Sequence, residues 1–373
     1  MPPLSGLRVL DLTRLLPGPY ASLVLADLGA DVVKVEDPQQ GDYLRALGPL
    51  SGMFAALNRG KRSLALDLKA VGGPALFKRL CRKADVVLEG FRPGVLERLG
   101  CAPASLLEEN PRLVVCSISG FGQTGPWRGR AGHDIGYLAL SGALARCGTG
   151  EVPQLPGVQL ADLFGGAMTA VVAVLAALVE RKGRVIDVSM TEGVMGFVLP
   201  HLGALAAGQE PQRRGEDILG GAMPCYRVYA CRGGAMALGA LEPKFWSRFC
   251  AAVERPEWES RGFDASLSPD VDALFGGRAR DEWVALLGPA DCCAEPVLEP
   301  HELAAHPLHA ARDLWVDSGG LRLLRTQPAL APPATRPAPA LGENTDEVLR
   351  EYGIDDLDAL RAAGVLGQAS PSK

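Results

Sequence analysis

Three stretches of this chain carry side chains suited to moving protons. His133 and Asp134 follow Gly132 in RAGHDIGYLALSGAL. Imidazole titrates near neutrality, and glycine beside it lets a ligand come close. Asp162 heads the apolar run ADLFGGAMTAVVAVLAALV. An aspartate there serves as an N-cap, accepting first-turn N–H groups at the positive end of a helix. It also stays ionised, which equips it as a base or a nucleophile. Gly165 and Gly166 in the same first turn weaken a helix and predict the close approach of a ligand. Glu242 in GALEPKFW precedes Pro243 and either starts a helix or adds a further acid. Spacing alone does not bring the three together.

Basic residues come in two groups. Arg59, Lys61 and Arg62 stand directly before the strand-like SLALDL, and Arg92 directly after ADVVLEG. In an open α/β sheet, ligands bind outside the carboxyl ends of the strands, which suits Arg92 better than the first group. No G-x-G-x-x-G follows the first strand and no G-x-x-x-x-G-K-[ST] occurs, which argues against a conventional NAD or P-loop site. The helix after Pro17-Gly18 still offers its start to another phosphate-bearing ligand.

The elements that must hold these residues read as strand and helix in alternation. Strands are expected at 7–12, 30–36, 63–68, 84–90, 112–120 and 183–190, with helices between them. That pattern is an open, doubly wound α/β large domain. Residues 163–179 read as a buried core helix rather than a membrane span. The polar, glycine-rich 208–224 is expected as a linker. A smaller α+β domain over 225–325 follows, with a hairpin around Arg232-Gly233-Gly234. A proline-rich connector over 326–342 then leads to C-terminal helices in 343–373.

The 373 residues, 47% apolar and 22% charged, fit a soluble chain of about two domains. A net charge of -5 offers no general attraction for nucleic acid or an anionic membrane. Nine scattered cysteines without a C-x-x-C pair predict reduced, mostly buried thiols and no metal site. With no signal peptide visible ahead of the first strand, a cytoplasmic location is expected.

Several stretches together resemble the class III coenzyme A transferases and α-methylacyl-CoA racemases. They are LSGLRVLDLTRLLPGPYASLVLADLGADVVKVEDP, NRGKRSLALDLK, VVLEGFRPGVLERLG, SGFGQTGP, AGHDIGYLALSGAL, LADLFGG and GALEPKF. The resemblance implies an interlocked homodimer whose large Rossmann-like domain is built from both chain ends. It implies an active site between the large domain of one subunit and the small domain of the other. Asp162 matches the nucleophilic aspartate of the transferases, and His133 and Glu242 match the further acid–base residues of the racemase branch. Gly136 and Val158 depart from the racemase pattern, which has amides there.

By that resemblance the reaction is proton transfer at the α-carbon of a 2-methyl-branched acyl-CoA. His133 and Asp162 stand on opposite faces, Glu242 tunes His133 and Asp134 helps hold the thioester. The alternative is CoA transfer through Asp162. The residues expected to meet coenzyme A are Arg59, Lys61, Arg62, Leu88, Gly90, Arg92 and Tyr137. Coenzyme A enters as part of the substrate, with no metal or other cofactor.

Overall fold

The computed structural model describes residues 1–48, 51–327, 330–332 and 334–367. These form two units. The first combines residues 1–141 and 159–197 with the chain from Arg312 onward, and the second combines 142–158 with 198–311.

The first unit is built on six strands: β1 (Arg8–Asp11), β2 (Asp31–Glu36), β3 (Arg62–Ala65), β4 (Val86–Glu89), β5 (Val114–Ser119) and β6 (Arg184–Ser189). They pair in parallel in the order β3-β2-β1-β4-β5-β6. Val9, Leu10, Val33, Leu64, Val86, Val87 and Val115 are buried inside it, as a parallel sheet covered on both faces requires. Each strand falls within its expected stretch or starts one residue ahead of it. The order reverses direction between β1 and β4, which opens a crevice at their carboxyl ends.

The chain's end completes this unit. Asn344 N–H donates to Ser63 O at 3.0 Å and Asp67 N–H to Val365 O at 2.9 Å. Val348, Leu349, Tyr352 and Ile354 join the core beneath β2 and β3. The segment from 312 to 325 also belongs here, not to the smaller domain in which the sequence reading placed it. Residues 328, 329 and 333 of the proline-rich connector lie outside the described residues.

The helix that carries Asp162 opens as a π-helix, Ala161–Met168, and continues as an α-helix, Thr169–Glu180. Leu160 occupies the cap position and no side chain caps it, so Asp162 is not the N-cap. Gly165 and Gly166 serve a helix contact instead of a ligand. A Cβ on Gly165 would lie 2.4 Å from Met190 O, and one on Gly193 2.1 Å from Gly165 O. Without side chains there, the Met190–Val194 helix lies against the Asp162 turn. The long helix is covered on one side only: Ala170, Val171, Val174 and Ala177 are buried, whereas Val172 and Val179 are exposed. Its stretch Ala161–Glu180, with mean hydropathy 2.0, is also long and apolar enough to cross a membrane.

The second unit holds an antiparallel sheet of Tyr226–Cys231, Gly234–Gly239 and Ala294–Pro296. Gly233 at φ +76° makes the expected turn between the first two strands. Tyr229, Trp246, Phe249, Phe275 and Trp283 fill its core. The glycine-rich stretch expected as a linker is tied down in this unit. Arg214 donates to Ala145 O and Gly150 O, both at 2.8 Å, and Arg146 donates to Gln212 O at 2.8 Å. All nine cysteines are free, and only Cys293 is exposed.

Candidate active site

Three loops at the carboxyl edge of the sheet enclose a cleft of about 480 Å³. Thr13–Gly18 follows β1, Gly90–Pro93 follows β4, and the stretch from Gly120 to His133 follows β5. Tyr137, Asp162 and Met190 complete the wall. His133 and Asp162 therefore face one cavity.

His133 directly precedes the helix Asp134–Ser141, and its carbonyl accepts from Gly136 N–H at 2.8 Å. Its ring is exposed. The Asp134 carboxylate accepts from Asp162 N–H at 2.9 Å, which fastens the two helix starts together. The Asp162 carboxylate itself takes part in no hydrogen bond or ion pair among the described residues. Burial, and then the neighbouring Asp134 charge, push its carboxyl up to about 7. A carboxyl poised there can both give and accept a proton at neutral pH. Tyr137 is buried alongside, its hydroxyl pushed up to about 12 by burial and then by Asp162, against the pull of Arg92.

Of the residues expected to meet coenzyme A, Gly90, Arg92 and Tyr137 line the cleft. Leu88 does not: it is buried within β4, and its carbonyl accepts from Leu12 N–H at 2.8 Å. Arg59, Lys61 and Arg62 are turned into the protein and do not present charge to a ligand. Arg59 grips Asp27 through both terminal nitrogens, at 2.5 and 2.6 Å. Lys61, also fully buried, bonds Ser22 Oγ at 2.7 Å and Asn58 Oδ1 at 2.8 Å, with Asp11 at 3.3 Å. Burial holds its ammonium down to about 7. Arg62 pairs with Asp31, Glu347 and Glu351 at 2.6, 3.1 and 2.8 Å. Arg62 opens β3, so it sits at the amino edge of a parallel sheet, away from the crevice.

Glu242 lies in the second unit. It is exposed and precedes the helix Pro243–Ala252 without capping it through its side chain. Among the described residues, no three His, Cys, Asp or Glu side chains are grouped to hold a metal ion.

Three cleft residues escaped the sequence reading. Arg14 donates to the Tyr43 hydroxyl at 3.0 Å and lies over the Tyr43 and Phe91 rings. Arg128 and Arg130 line the wall ahead of His133. The signal was present in PWRGRAGHD, two arginines within five residues of the histidine. Outside the cleft lining, Glu89 at the end of β4 is buried and accepts from Phe91 N–H at 2.8 Å, and burial pushes its carboxyl up to about 7.

Residues 4–345 match the model of CoA-transferase family III. The chain belongs to that family. It is 38% identical to the α-methylacyl-CoA racemase of Mus musculus, an alignment that covers 96% of this chain and 95% of the mouse protein. The acetyl-CoA:oxalate CoA-transferase of Acetobacter aceti is 32% identical, with 95% and 97% covered. Among solved structures, a CAIB/BAIF family protein from Brucella suis superposes with a TM-score of 0.84. That pair shares 31% identity and covers 94% of this chain and 99% of the other.

Proposed function

We propose that this family III chain is an acyl-CoA racemase that moves a proton at the α-carbon of a 2-methyl-branched thioester. The observation that carries the reading is one cleft lined by His133 and by an Asp162 carboxyl held near neutrality. A thioester acidifies its α-hydrogen because the carbanion delocalises onto the carbonyl oxygen. One residue takes the proton from one face, and the other returns a proton to the opposite face. The roles exchange for the reverse direction, which asks each group to be stable in both protonation states. The enolate oxygen needs preorganised donors.

Glu242 of the partner subunit would tune His133 in a homodimer. Leu199, Leu202 and Leu205 support such an assembly, because they leave an apolar stripe exposed along the helix Leu199–Ala206. No metal or redox cofactor enters this chemistry.

Incubation with a 2-methylacyl-CoA in deuterated water tests the reading. Deuterium is expected at the α-carbon without any acceptor acid, and His133→Ala is expected to slow the exchange by about 10²- to 10⁴-fold. No exchange by the wild type, with CoA passing to an added acid, would select the second reading. That reading is CoA transfer, favoured by an Asp162 carboxylate free of partners and by the likeness to the oxalate transferase. There Asp162 attacks the thioester carbonyl, releasing CoA thiolate and forming a mixed anhydride. The thiolate then attacks the aspartyl carbonyl, freeing the first acid and leaving a thioester on Asp162. The second acid's carboxylate displaces CoA, and the returning thiolate attacks the new acyl group. Hydroxylamine trapping at Asp162 detects that route.

A further inference from the structure

The proton chemistry leaves most of the charge in the cleft unused. Its lining carries four arginines, Arg14, Arg92, Arg128 and Arg130, against a single carboxylate, Asp162. Arg14 is engaged with Tyr43. The side chains of Arg92, Arg128 and Arg130 make no ion pair or hydrogen bond among the described residues. Arg92 follows β4 at the sheet's reversal point, where the phosphates of a nucleotide-bearing ligand are expected. Arg128 and Arg130 stand apart from it in sequence, on the loop after β5 that leads to His133.

That loop is held in place. The Tyr137 ring fills space left by two glycines: a Cβ would fall 2.4 Å from it at Gly120 and 2.6 Å at Gly132. Phe121 meets Tyr137 edge-on with centroids 5.2 Å apart, and Trp127 meets Phe121 the same way at 5.7 Å. The Arg130 guanidinium lies over the Trp127 ring, 4.0 Å from its centroid. The Trp127 carbonyl accepts from Arg130 N–H at 2.9 Å. A chain of rings thus runs from Tyr137, beside Asp162, out to Arg130. A stacked guanidinium keeps its hydrogen-bonding edge free and loses little freedom on binding.

We propose that Arg128 and Arg130 form a second anion subsite. It takes a terminal carboxylate or phosphate of the bound thioester, separate from the diphosphate that Arg92 faces. This rests on the reading of the cleft as an acyl-CoA site. Two parts of such a ligand offer that chemistry: the ribose 3′-phosphate of coenzyme A, and the distal carboxylate of a dicarboxylic acyl group.

The test is direct binding, which needs no turnover. Calorimetric titrations at low salt compare the wild type, an Arg128→Ala/Arg130→Ala double variant and Arg130→Lys. The ligands are CoA, dephospho-CoA, butyryl-CoA and succinyl-CoA. The double variant is expected to weaken one anion-bearing ligand by roughly ten- to hundred-fold. Its counterpart lacking that anion should move by less than about three-fold, with Arg130→Lys intermediate. A CoA against dephospho-CoA difference identifies the phosphate as the occupant; a succinyl against butyryl difference identifies the acyl carboxylate. Equal weakening of all four ligands, or no weakening of any, overturns the subsite. A wild type that binds none of them overturns the acyl-CoA reading itself, and the subsite with it.

Discussion

Two sets of basic side chains occupy the first unit, and they live in opposite surroundings. Arg59, Lys61 and Arg62 are buried, each beside at least one aspartate: Asp27, Asp11 and Asp31 respectively. Arg92, Arg128 and Arg130 stand on the wall of the cleft with no carboxylate paired to them among the described residues. The first set fastens elements together. Arg59 joins the end of the helix Pro17–Asp27 to the Leu324 carbonyl, and Arg62 joins β2 and β3 to the C-terminal helix Thr345–Glu351. The side chains of the second set make no ion pair or hydrogen bond among the described residues, which is why the proposed anion subsite draws on them. The type of residue is the same; the reach of a carboxylate decides what it does.

The hardest test of this contrast is Arg59→Ala. Removing one partner of a buried ion pair strands the other, at a cost of about 3–5 kcal/mol. The melting temperature is expected to fall steeply, while any protein that remains folded binds CoA as before. Arg130→Ala, on an exposed side chain, is expected to change stability by less than about 0.5 kcal/mol. Two similar melting curves would break the comparison.

That contrast also marks what the sequence made legible. The strands of the sheet were readable because a parallel strand buried on both faces is a short apolar run, as in LRVLDL and ADVVLEG. His133 and Asp162 were readable as candidates, and the structure lines one cleft with both. The fate of Arg59, Lys61 and Arg62 was not readable. It depends on carboxylates 31 to 50 positions away for Asp31, Asp27 and Asp11, and on Glu347 and Glu351 at the far end of the chain. Gly165 and Gly166 misled for a related reason. Glycine signals close approach without saying of what, and here a second helix, at Met190 and Gly193, is what comes close. The membership of residues 142–158 in the second unit rests on hydrogen bonds from Arg214 across more than sixty positions, beyond any local pattern.

A smaller effect sharpens the picture of the cleft side. Gly132→Ala places a methyl group 2.6 Å from the Tyr137 ring, which must shift. Such overpacking costs about 1–3 kcal/mol. Because Phe121, Trp127 and Arg130 follow Tyr137 in one continuous row of contacts, the variant is expected to weaken anion binding beyond what the stability loss explains. Binding measured well below the melting temperature separates the two effects. Unchanged affinity there would show that the ring chain does not position Arg130.

The smallest effect has the opposite sign. Among the described residues Asp162 has no cation paired with it, unlike Asp11 or Asp27, and its carboxyl is held near 7 against an ordinary value of 3.8. The folded chain therefore keeps this proton more tightly than the unfolded chain between those limits. Its favourable contribution is complete below about pH 4 and is lost as pH rises through about 7. Each pKa unit corresponds to about 1.4 kcal/mol, and partial solvent access reduces the total to about 1–2 kcal/mol. Asp162→Asn removes the charge and keeps the shape. Denaturant unfolding is expected to show the variant more stable than the wild type at pH 8, with the gain shrinking toward zero as pH approaches 4. A carboxylate held in place for stability would lose stability on the same substitution at pH 8. A gain confined to high pH would mark Asp162 as a charge that the fold tolerates at a cost, which is the condition of a group kept for its chemistry.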